Sequence, residues 1–409
     1  MTTFEERLRK YARLAVRAGI NVQPGQELII GADVTEASFM RLVAEEAYDA
    51  GAINVHIAYG DEAGTLVRYA HGSSEAMSYA PAWLAEAYAE RVRAGAGYMR
   101  LLSGDPALLK DVPADKIAVS SKAQGIATQG LSKAIMAGGS WSAIGYAAPA
   151  WAKVVFPHDS EEVAVEKLWD AIFLCCHIDE EDPVASWLRH QEVLEAKQQA
   201  LTERSYAALQ FTGAGTDIKI GLADNHLWSG GRFQTSSGAK CSPNIPTEEV
   251  FTMPHRERVE GVVRSSKPLS VRGSLIDEIE MTFEGGKVVK ATASQGEEVL
   301  KGLLDTDEGA RHLGEVALVP NSSRVGRAKV LFFNTLFDEN AACHIALGRA
   351  LSVNMRDYDV LTDDQQEANG FNSSLIHVDW MIGSDQIDVD GIKQDGSSEP
   401  LMRGCEWVD

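Results

Sequence analysis

Cysteine is scarce in this chain, and its spacing matches no common cysteine motif. The 409 residues include five cysteines, without a Cys-x-x-Cys pair among them: Cys175, Cys176, Cys241, Cys343 and Cys405. An odd number without such spacing argues against a disulfide framework and against a thiolate zinc site. HExxH, GxGxxG and P-loop sequences are missing too. The sequence therefore indicates neither a zincin-type site nor a nucleotide-binding loop.

Positive charge is also in short supply. There are 38 basic residues against 59 acidic ones, which gives a formal net charge of −21. Such a surface repels phosphate backbones and anionic lipids, so we expect neither nucleic acid nor a membrane as a partner. No apolar run approaches the roughly 18 residues needed to span a bilayer. The first residues lack the apolar core of a signal peptide. We expect a cytoplasmic protein.

The length suffices for two or three domains at about 150 residues each, and a hydrophobic content of 45% is ordinary for a globular chain. The first half alternates strand and helix patterns, which predicts an α/β domain with parallel pairing. Helices are predicted at 8–18, 37–50, 108–138, 163–174 and 194–202, and strands at 27–31, 53–57 and 97–102. We place the boundary at 195–205, with an N-terminal α/β domain over 1–195 and a C-terminal domain over 200–409.

The second half is dominated by short alternating or apolar runs, which predict a β-rich α+β domain. The turn Glu284-Gly285-Gly286-Lys287 between two alternating runs is typical of a hairpin. Strands are predicted at 209–212, 218–222, 279–283, 288–292, 330–333 and 375–382, and helices at 297–305 and 341–351.

Carboxylates and imidazoles stand in four apolar segments of the second half. His377 and Asp379 lie two residues apart in a strand-like run, so their side chains share a face. They form either a structural His–Asp pair or half of a metal site. Glu248 and Glu249 are neighbours in another strand-like stretch, where only one can face a shared site. The alternative for them is a solvated acidic pair.

Glu315 opens an apolar strand, where an ionised carboxylate is costly unless it is paired or coordinated. It could instead reach water at the strand edge. In the fourth segment Asp338 or Asn340 could cap a helix, with His344 in its second turn as a packing residue or a ligand. Cys343 beside it is more typical of a small buried residue than of a nucleophile.

Taken together, three carboxylates and two imidazoles suit two divalent cations with one bridging carboxylate. Zn²⁺, Co²⁺, Mn²⁺ and Mg²⁺ are all compatible with these ligands.

Three long motifs, NIPTEEVFT (244–252), DENAACHIALG (338–348) and NSSLIHVDWMIG (372–383), resemble the thermophilic metallo-aminopeptidases, the aminopeptidase T family. The resemblance runs through the second half and is weaker in the first. It implies a dimeric exopeptidase with two metal ions that removes N-terminal residues from peptides with a free N-terminus. The metal ligands that it implies are Glu249, Glu315, His344, His377 and Asp379.

With such a ligand set we expect a non-ligand carboxylate to carry the proton from a metal-activated water to the leaving amine. Glu339 is the candidate, with Glu248 as its competitor. One position departs from the family, since Leu351 stands where a Tyr is usual, seven residues after His344. A phenol there could stabilise the oxyanion. The alternative hypotheses are a weakened homologue that binds metal or peptide without turnover, and a dinuclear hydrolase of non-peptide amides.

Overall fold

The computed structural model describes residues 3–271 and 274–408. The chain divides into two compact units. The first comprises residues 1–189 and 232–246, and the second comprises residues 190–231 and 247–409. Among the described residues, no helix combines the length and the apolar character needed to cross a bilayer.

The helices of the described part are as follows: α1 Phe4–Leu14, α2 Ala37–Asp49, α3 Glu62–His71, α4 Ser74–Ser78, α5 Ala82–Arg93, α6 Ala114–Met136, α7 Pro149–Val155, α8 Glu161–Cys175, α9 Pro183–Arg204, α10 Glu297–Leu304, α11 Arg324–Ala328, α12 Thr335–Asp338 and α13 Asp363–Ala368. A π-helical turn, Ala15–Ile20, continues α1.

The strands are as follows: β1 Glu27–Asp33, β2 Asn54–Gly60, β3 Gly97–Leu102, β4 Trp141–Gly145, β5 Ala208–Gly213, β6 Thr216–Leu222, β7 Ser229–Gly230, β8 Phe233–Gln234, β9 Lys240–Cys241, β10 Asn244–Ile245, β11 Val250–Thr252, β12 Pro254–Arg264, β13 Leu269–Val271, β14 Ser274–Ile276, β15 Glu280–Glu284, β16 Lys287–Thr292, β17 Leu313–Leu318, β18 His344–Gly348, β19 His377–Met381, β20 Asp388–Ile392, β21 Ser398–Arg403 and β22 Glu406–Trp407.

A parallel five-stranded sheet forms the centre of the first unit, in the order β10-β4-β3-β1-β2. The strand–helix–strand pattern of β1, α2 and β2 predicts this parallel pairing, and the observed register joins Leu28 to Val55. The successive residues Leu28, Ile29 and Ile30 of β1 are all buried, as expected of a strand covered on both faces. The predicted helix 108–138 begins only at Ala114, directly after Pro113, because proline disfavours helical backbone in the residue before it.

Two antiparallel sheets build the second unit. One has eight strands in the order β16-β15-β12-β6-β5-β20-β21-β22, and the other has five in the order β19-β18-β17-β11-β7. The predicted hairpin is present as β15 and β16. The predicted combination of a parallel α/β part with a β-rich part is thus confirmed at the level of mixed α/β structure.

The predicted helix at 341–351 is wrong. A single 3-10 turn at Glu339–Ala341 is followed by strand β18, in which all five residues are buried. A strand buried on both faces gives a continuous apolar run, which periodicity alone does not separate from a buried helix segment. His344 therefore begins a strand rather than lying in the second turn of a helix.

The predicted strand at 330–333 is also wrong. The backbone there is irregular, and the buried Asp338 carboxylate accepts the N–H groups of Phe332 at 2.7 Å and Asn334 at 3.0 Å. These bonds replace a strand ladder as partners for the backbone. The cap of α12 is Asn334, whose side chain accepts from the N–H of Leu336, and not Asp338 or Asn340 as predicted.

Gly348 ends β18 with a φ of +98°, and a Cβ built there would lie 2.3 Å from the Ile376 carbonyl oxygen. Because both backbone and space require glycine, we expect Gly348→Ala to destabilise the protein by about 2 kcal/mol or more. Thermal unfolding measures the change. Gly302→Ala is the matched control, since its Cβ meets nothing within 4 Å in helix α10, and we expect it to stabilise by about 0.5–1 kcal/mol. Equal melting temperatures for the two variants would contradict this account.

Candidate metal centre

Acidic and imidazole side chains lie on one face of the antiparallel five-stranded sheet, β19-β18-β17-β11-β7. Residues that pair directly across antiparallel strands point to the same side of the sheet. The observed register across β17, β18 and β19 pairs Ala317 with His344, Glu315 with Ala346, Ala346 with Asp379, and Gly348 with His377. All four charged or titratable residues of these strands therefore lie on one face. Their cross-strand neighbours are alanines and glycine, except for Met381, which pairs with His344.

The opposite face of the same strands is apolar. Its side chains are members of one buried hydrophobic cluster: Val316, Leu318, Ile345, Leu347 and Trp380. The alternation of these residues with the acidic and imidazole ones is the ordinary period of a strand. Packing of the apolar face holds the strands in register, and it thereby fixes the spacing of the side chains on the other face.

Four distances define the cluster. The Nε2 atom of His344 lies 3.1 Å from Glu249 Oε2 and 3.5 Å from Glu315 Oε1. The Nε2 atom of His377 lies 3.6 Å from Glu315 Oε2 and 3.3 Å from Asp379 Oδ1. The side chains thus form two groups of three that share Glu315, one oxygen of which faces each group.

Both histidines present the same nitrogen to the cluster. His344 Nδ1 lies 3.2 Å from the Ala342 carbonyl oxygen, and His377 Nδ1 lies 2.6 Å from that of Arg349. A carbonyl oxygen can only accept, so each Nδ1 carries a proton and donates it. In the neutral imidazole Nε2 then holds a free lone pair, which is the arrangement of a metal-binding histidine.

Several buried polar atoms of the cluster lack a hydrogen bond within the described part of the chain, namely Glu249 Oε2, His344 Nε2 and Asp379 Oδ1. Buried polar atoms are nearly always satisfied in native proteins, and an exception calls for an ion or a water. Three carboxylates and two imidazoles, with small neighbours, match the ligand chemistry of two divalent cations. These residues therefore fit a dinuclear metal centre with Glu315 as the shared carboxylate.

Burial and the charges of the cluster shift the pKa values of Glu315 and His377. Burial raises the pKa of Glu315 to about 7, against the lowering effect of His344. Burial lowers the pKa of His377, but the Asp379 and Glu315 carboxylates outweigh it and raise that pKa to about 10. In the chain alone the imidazolium of His377 thus balances negative charge, a role that divalent cations take over once they bind.

Glu339, the predicted proton carrier, lies in the 3-10 turn just before β18 and is half-buried. Burial raises its pKa well above the usual value, and the carboxylates of Glu249 and Asp379 raise it further. The charges of the cluster therefore act on Glu339, although it belongs to neither group of three. Its competitor Glu248 faces elsewhere.

Glu248 is buried and not part of a solvated pair, which corrects one of the alternatives from the sequence. Its carboxylate accepts from the backbone N–H of Arg324 at 2.8 Å and lies 3.5 Å from His190 Nε2. Neither contact belongs to the metal cluster. Glu248 and Glu249 thus have different surroundings, although neither lies in a strand and β11 begins only at Val250.

Cys343 is a core residue. Its side chain is fully buried and donates to the Val319 carbonyl oxygen at 3.3 Å, and it belongs to the hydrophobic cluster behind the sheet. Burial and a neighbouring thiol, Cys405, raise its pKa well above the usual value. A protonated thiol pointing into the core is not a nucleophile.

Leu351 lies on the connection after β18 and does not share a helix with His344. The predicted helix 341–351 would have placed Leu351 on the same element as His344, but residues 344–348 form β18 and Leu351 caps a 3-10 turn at Ser352–Asn354. Distance along a helix therefore says nothing about whether this position faces the cluster.

Sequence reasoning missed the role of Asn340. This fully buried residue was considered only as a helix cap, yet its side-chain oxygen accepts the N–H of Glu248, 92 residues earlier, at 2.7 Å. No local pattern predicts such a bond, because it depends on how two distant segments meet.

The chain matches a known family over nearly its whole length. A sequence model described as "Thermophilic metalloprotease (M29)" matches residues 4–407. The chain belongs to this family. Its membership confirms the resemblance seen in the three motifs and makes the chain a metalloprotease.

Other members of the M29 family support the same conclusion. The chain is 46% identical to aminopeptidase T of Thermus aquaticus, over all of both chains. It is 44% identical to aminopeptidase 2 of Geobacillus stearothermophilus, over 100% of this chain and 99% of the relative. The solved structure of wild-type AmpT from Thermus thermophilus superposes with a TM-score of 0.94 at 45% identity, covering 100% of both chains. The predicted enzyme class, a metallo-aminopeptidase, is confirmed, and none of these relatives supports a binding protein without turnover.

Proposed function

We propose that this M29 protein hydrolyses the N-terminal peptide bond of peptides with a free N-terminus, using a water activated by two divalent cations. The observation that carries the proposal is the pair of ligand groups that share Glu315 on one face of the sheet. One group consists of Glu249, Glu315 and His344, and the other of Glu315, His377 and Asp379. Zn²⁺, Co²⁺, Mn²⁺ or Mg²⁺ would suit these ligands.

The bound cations would supply Lewis acidity, which polarises the scissile carbonyl and lowers the pKa of water toward about 7. The chain's own residues do the rest. The Nδ1–H bonds to the carbonyls of Ala342 and Arg349 hold both imidazoles in place. The Glu339 carboxylate, whose pKa is raised by burial and by the carboxylates of Glu249 and Asp379, would accept a proton from the attacking water and deliver it to the leaving amine.

We further propose the arrangement of the protein around this chemistry. The first compact unit would be an α/β domain and the second the catalytic domain, since all five proposed ligands lie in residues 247–409. By analogy with the family resemblance, the chain would work as a homodimer in the cytoplasm, which light scattering and cell fractionation test.

Release of a chromophore from leucyl- and arginyl-anilides tests the function. We expect metal-stripped protein to be inactive and to regain turnover on titration with Co²⁺, Zn²⁺ or Mn²⁺, saturating at two ions per chain. N-acetylated anilides are the matched control substrates, because an aminopeptidase rejects a blocked amine. Equal rates on free and acetylated substrates would instead indicate an amidase.

Leu351→Tyr is run beside the native chain in the same assay. Turnover by the native chain would show that the reaction tolerates leucine at this position. Silence of the native chain with activity in Leu351→Tyr would mean that an oxyanion donor is missing, and silence of both would contradict the proposed function.

A further inference from the structure

Asn340 connects two segments of the proposed active site that are distant in sequence. It directly follows Glu339, and its side-chain Oδ1 accepts the backbone N–H of Glu248 at 2.7 Å. Glu248 in turn directly precedes the proposed ligand Glu249. A hydrogen bond through Asn340 therefore joins the turn that carries the proton carrier to the segment that carries a ligand.

The other end of the same amide group faces the turn itself. Asn340 Nδ2 donates to the Leu336 carbonyl oxygen at 3.0 Å, and it lies 3.4 Å from Glu339 Oε1. The backbone carbonyl of Asn340 accepts from Ser323 Oγ at 3.2 Å. Asn340 is fully buried, so water does not replace these partners when one is lost.

These contacts dictate which way the amide points. Only an oxygen can receive the N–H of Glu248, and only an NH₂ group can serve the Leu336 carbonyl and the Glu339 carboxylate together. The position therefore requires an asparagine, because its side chain carries an acceptor oxygen at one end and a donor NH₂ group at the other. Asp has the same shape, but it would place an oxygen against the Leu336 carbonyl and the Glu339 carboxylate, which repel it.

We propose that Asn340 is a positioning residue that holds the Glu339 carboxylate at a fixed place relative to the metal ligands. The inference rests on the proposed function, in which Glu339 carries the proton. Partners of this kind, which touch a reacting or ligating group without reacting themselves, commonly contribute 10- to 100-fold to activity.

Asn340→Asp tests the proposal on the full-length protein loaded with Co²⁺. We expect kcat on leucyl-anilide to fall about 10- to 100-fold while KM changes less than about threefold, because substrate binding keeps its contacts. The chain should still bind two Co²⁺ ions, with the visible absorption spectrum of the native protein. An altered spectrum or lost metal would place the effect on the ligands and overturn the proposal, as would an unchanged kcat.

Asn354→Asp is the matched control. Asn354 is as deeply buried, and its Nδ2 faces the carbonyl oxygens of Leu227 and Phe251 and the Ser229 hydroxyl. The same exchange of a donor for an acceptor should lower the melting temperature there and leave kcat within about threefold, as expected for a change outside the reacting groups. Equal losses of kcat in both variants would reduce the Asn340 effect to general destabilisation and overturn the proposal.

A double-mutant cycle with Glu339→Gln separates this inference from the function on which it rests. If Asn340 acts through Glu339, Asn340→Asp should cost less than about threefold in kcat once Glu339 is already Gln. Independent, multiplicative losses would overturn the positioning role. Full turnover in the single variant Glu339→Gln would instead refute the role of Glu339 as proton carrier. The two failures are therefore distinguishable, because the single variant tests the proton carrier and the double variant tests the positioning role.

Asn340→Ala covers the case in which Asn340→Asp does not fold. It removes the contacts of the amide nitrogen and also the bond to the Glu248 N–H that Asp keeps. No charge is buried, and we expect the same split between kcat and KM. Failure of both variants to fold would make Asn340 a purely structural residue and overturn the proposal.

Discussion

Replacing Glu315 by Gln should abolish turnover, with a loss on the order of 10³-fold or more. Glu315 is the one side chain that belongs to both ligand groups, and it is buried with only 5% of its surface exposed. Gln keeps the shape but removes the negative charge that faces both cations. A bound metal contributes several kcal/mol to the transition state, and each 1.4 kcal/mol is about tenfold in rate.

Metal analysis after dialysis measures the cause of that loss. We expect Glu315→Gln to retain fewer than two ions per chain. It should also lose most of the stabilisation by bound metal, which is about 2.7 kcal/mol at a metal concentration of 100 Kd and is observed as a rise in melting temperature. Glu284→Gln is the control, because this exposed residue at the end of β15 undergoes the same chemical change. Two firmly bound ions in Glu315→Gln would refute the shared-ligand assignment.

Glu339→Gln should reduce kcat by about 10²- to 10⁴-fold, the usual contribution of a general acid–base group. Unlike the loss at Glu315, this one should leave two metal ions bound and KM little changed, because Glu339 belongs to neither ligand group. Steady-state kinetics with metal analysis on the same preparation makes the distinction.

Glu248→Gln provides the contrast for Glu339. Glu248 is buried and lies on the same stretch as Glu249, but it contacts His190 and the backbone of Arg324. We expect its substitution to lower stability and to reduce kcat less than about tenfold. A larger loss in Glu248→Gln than in Glu339→Gln would exchange the roles of the two carboxylates.

The sequence was informative where strand alternation governs the structure. His377 and Asp379 share a face because they are two residues apart in β19. Glu248 and Glu249 also have different surroundings, but they lie just before β11 and not in a strand. The first α/β units and the hairpin at β15 and β16 follow from patterns that are complete within about 30 residues.

The sequence was misleading where burial removes the alternation. Residues 344–348 are all buried, so their apolar run predicts a helix as readily as a strand. The prediction of a helix therefore assigned the wrong secondary structure to both His344 and Leu351. The contacts of Asn340 and Glu248 could not be predicted at all, because they join segments that meet only after the sheets have formed.

The ligands lie on strands and at a strand start, whereas Glu339 and Leu351 lie on the connections that flank β18. Strands packed on a hydrophobic cluster tolerate few changes, but connections accept substitution and insertion much more freely. The two parts can therefore change at different rates during evolution. Substitutions at exposed positions of these connections can therefore be screened with metal loading as an internal check that the sheet has survived.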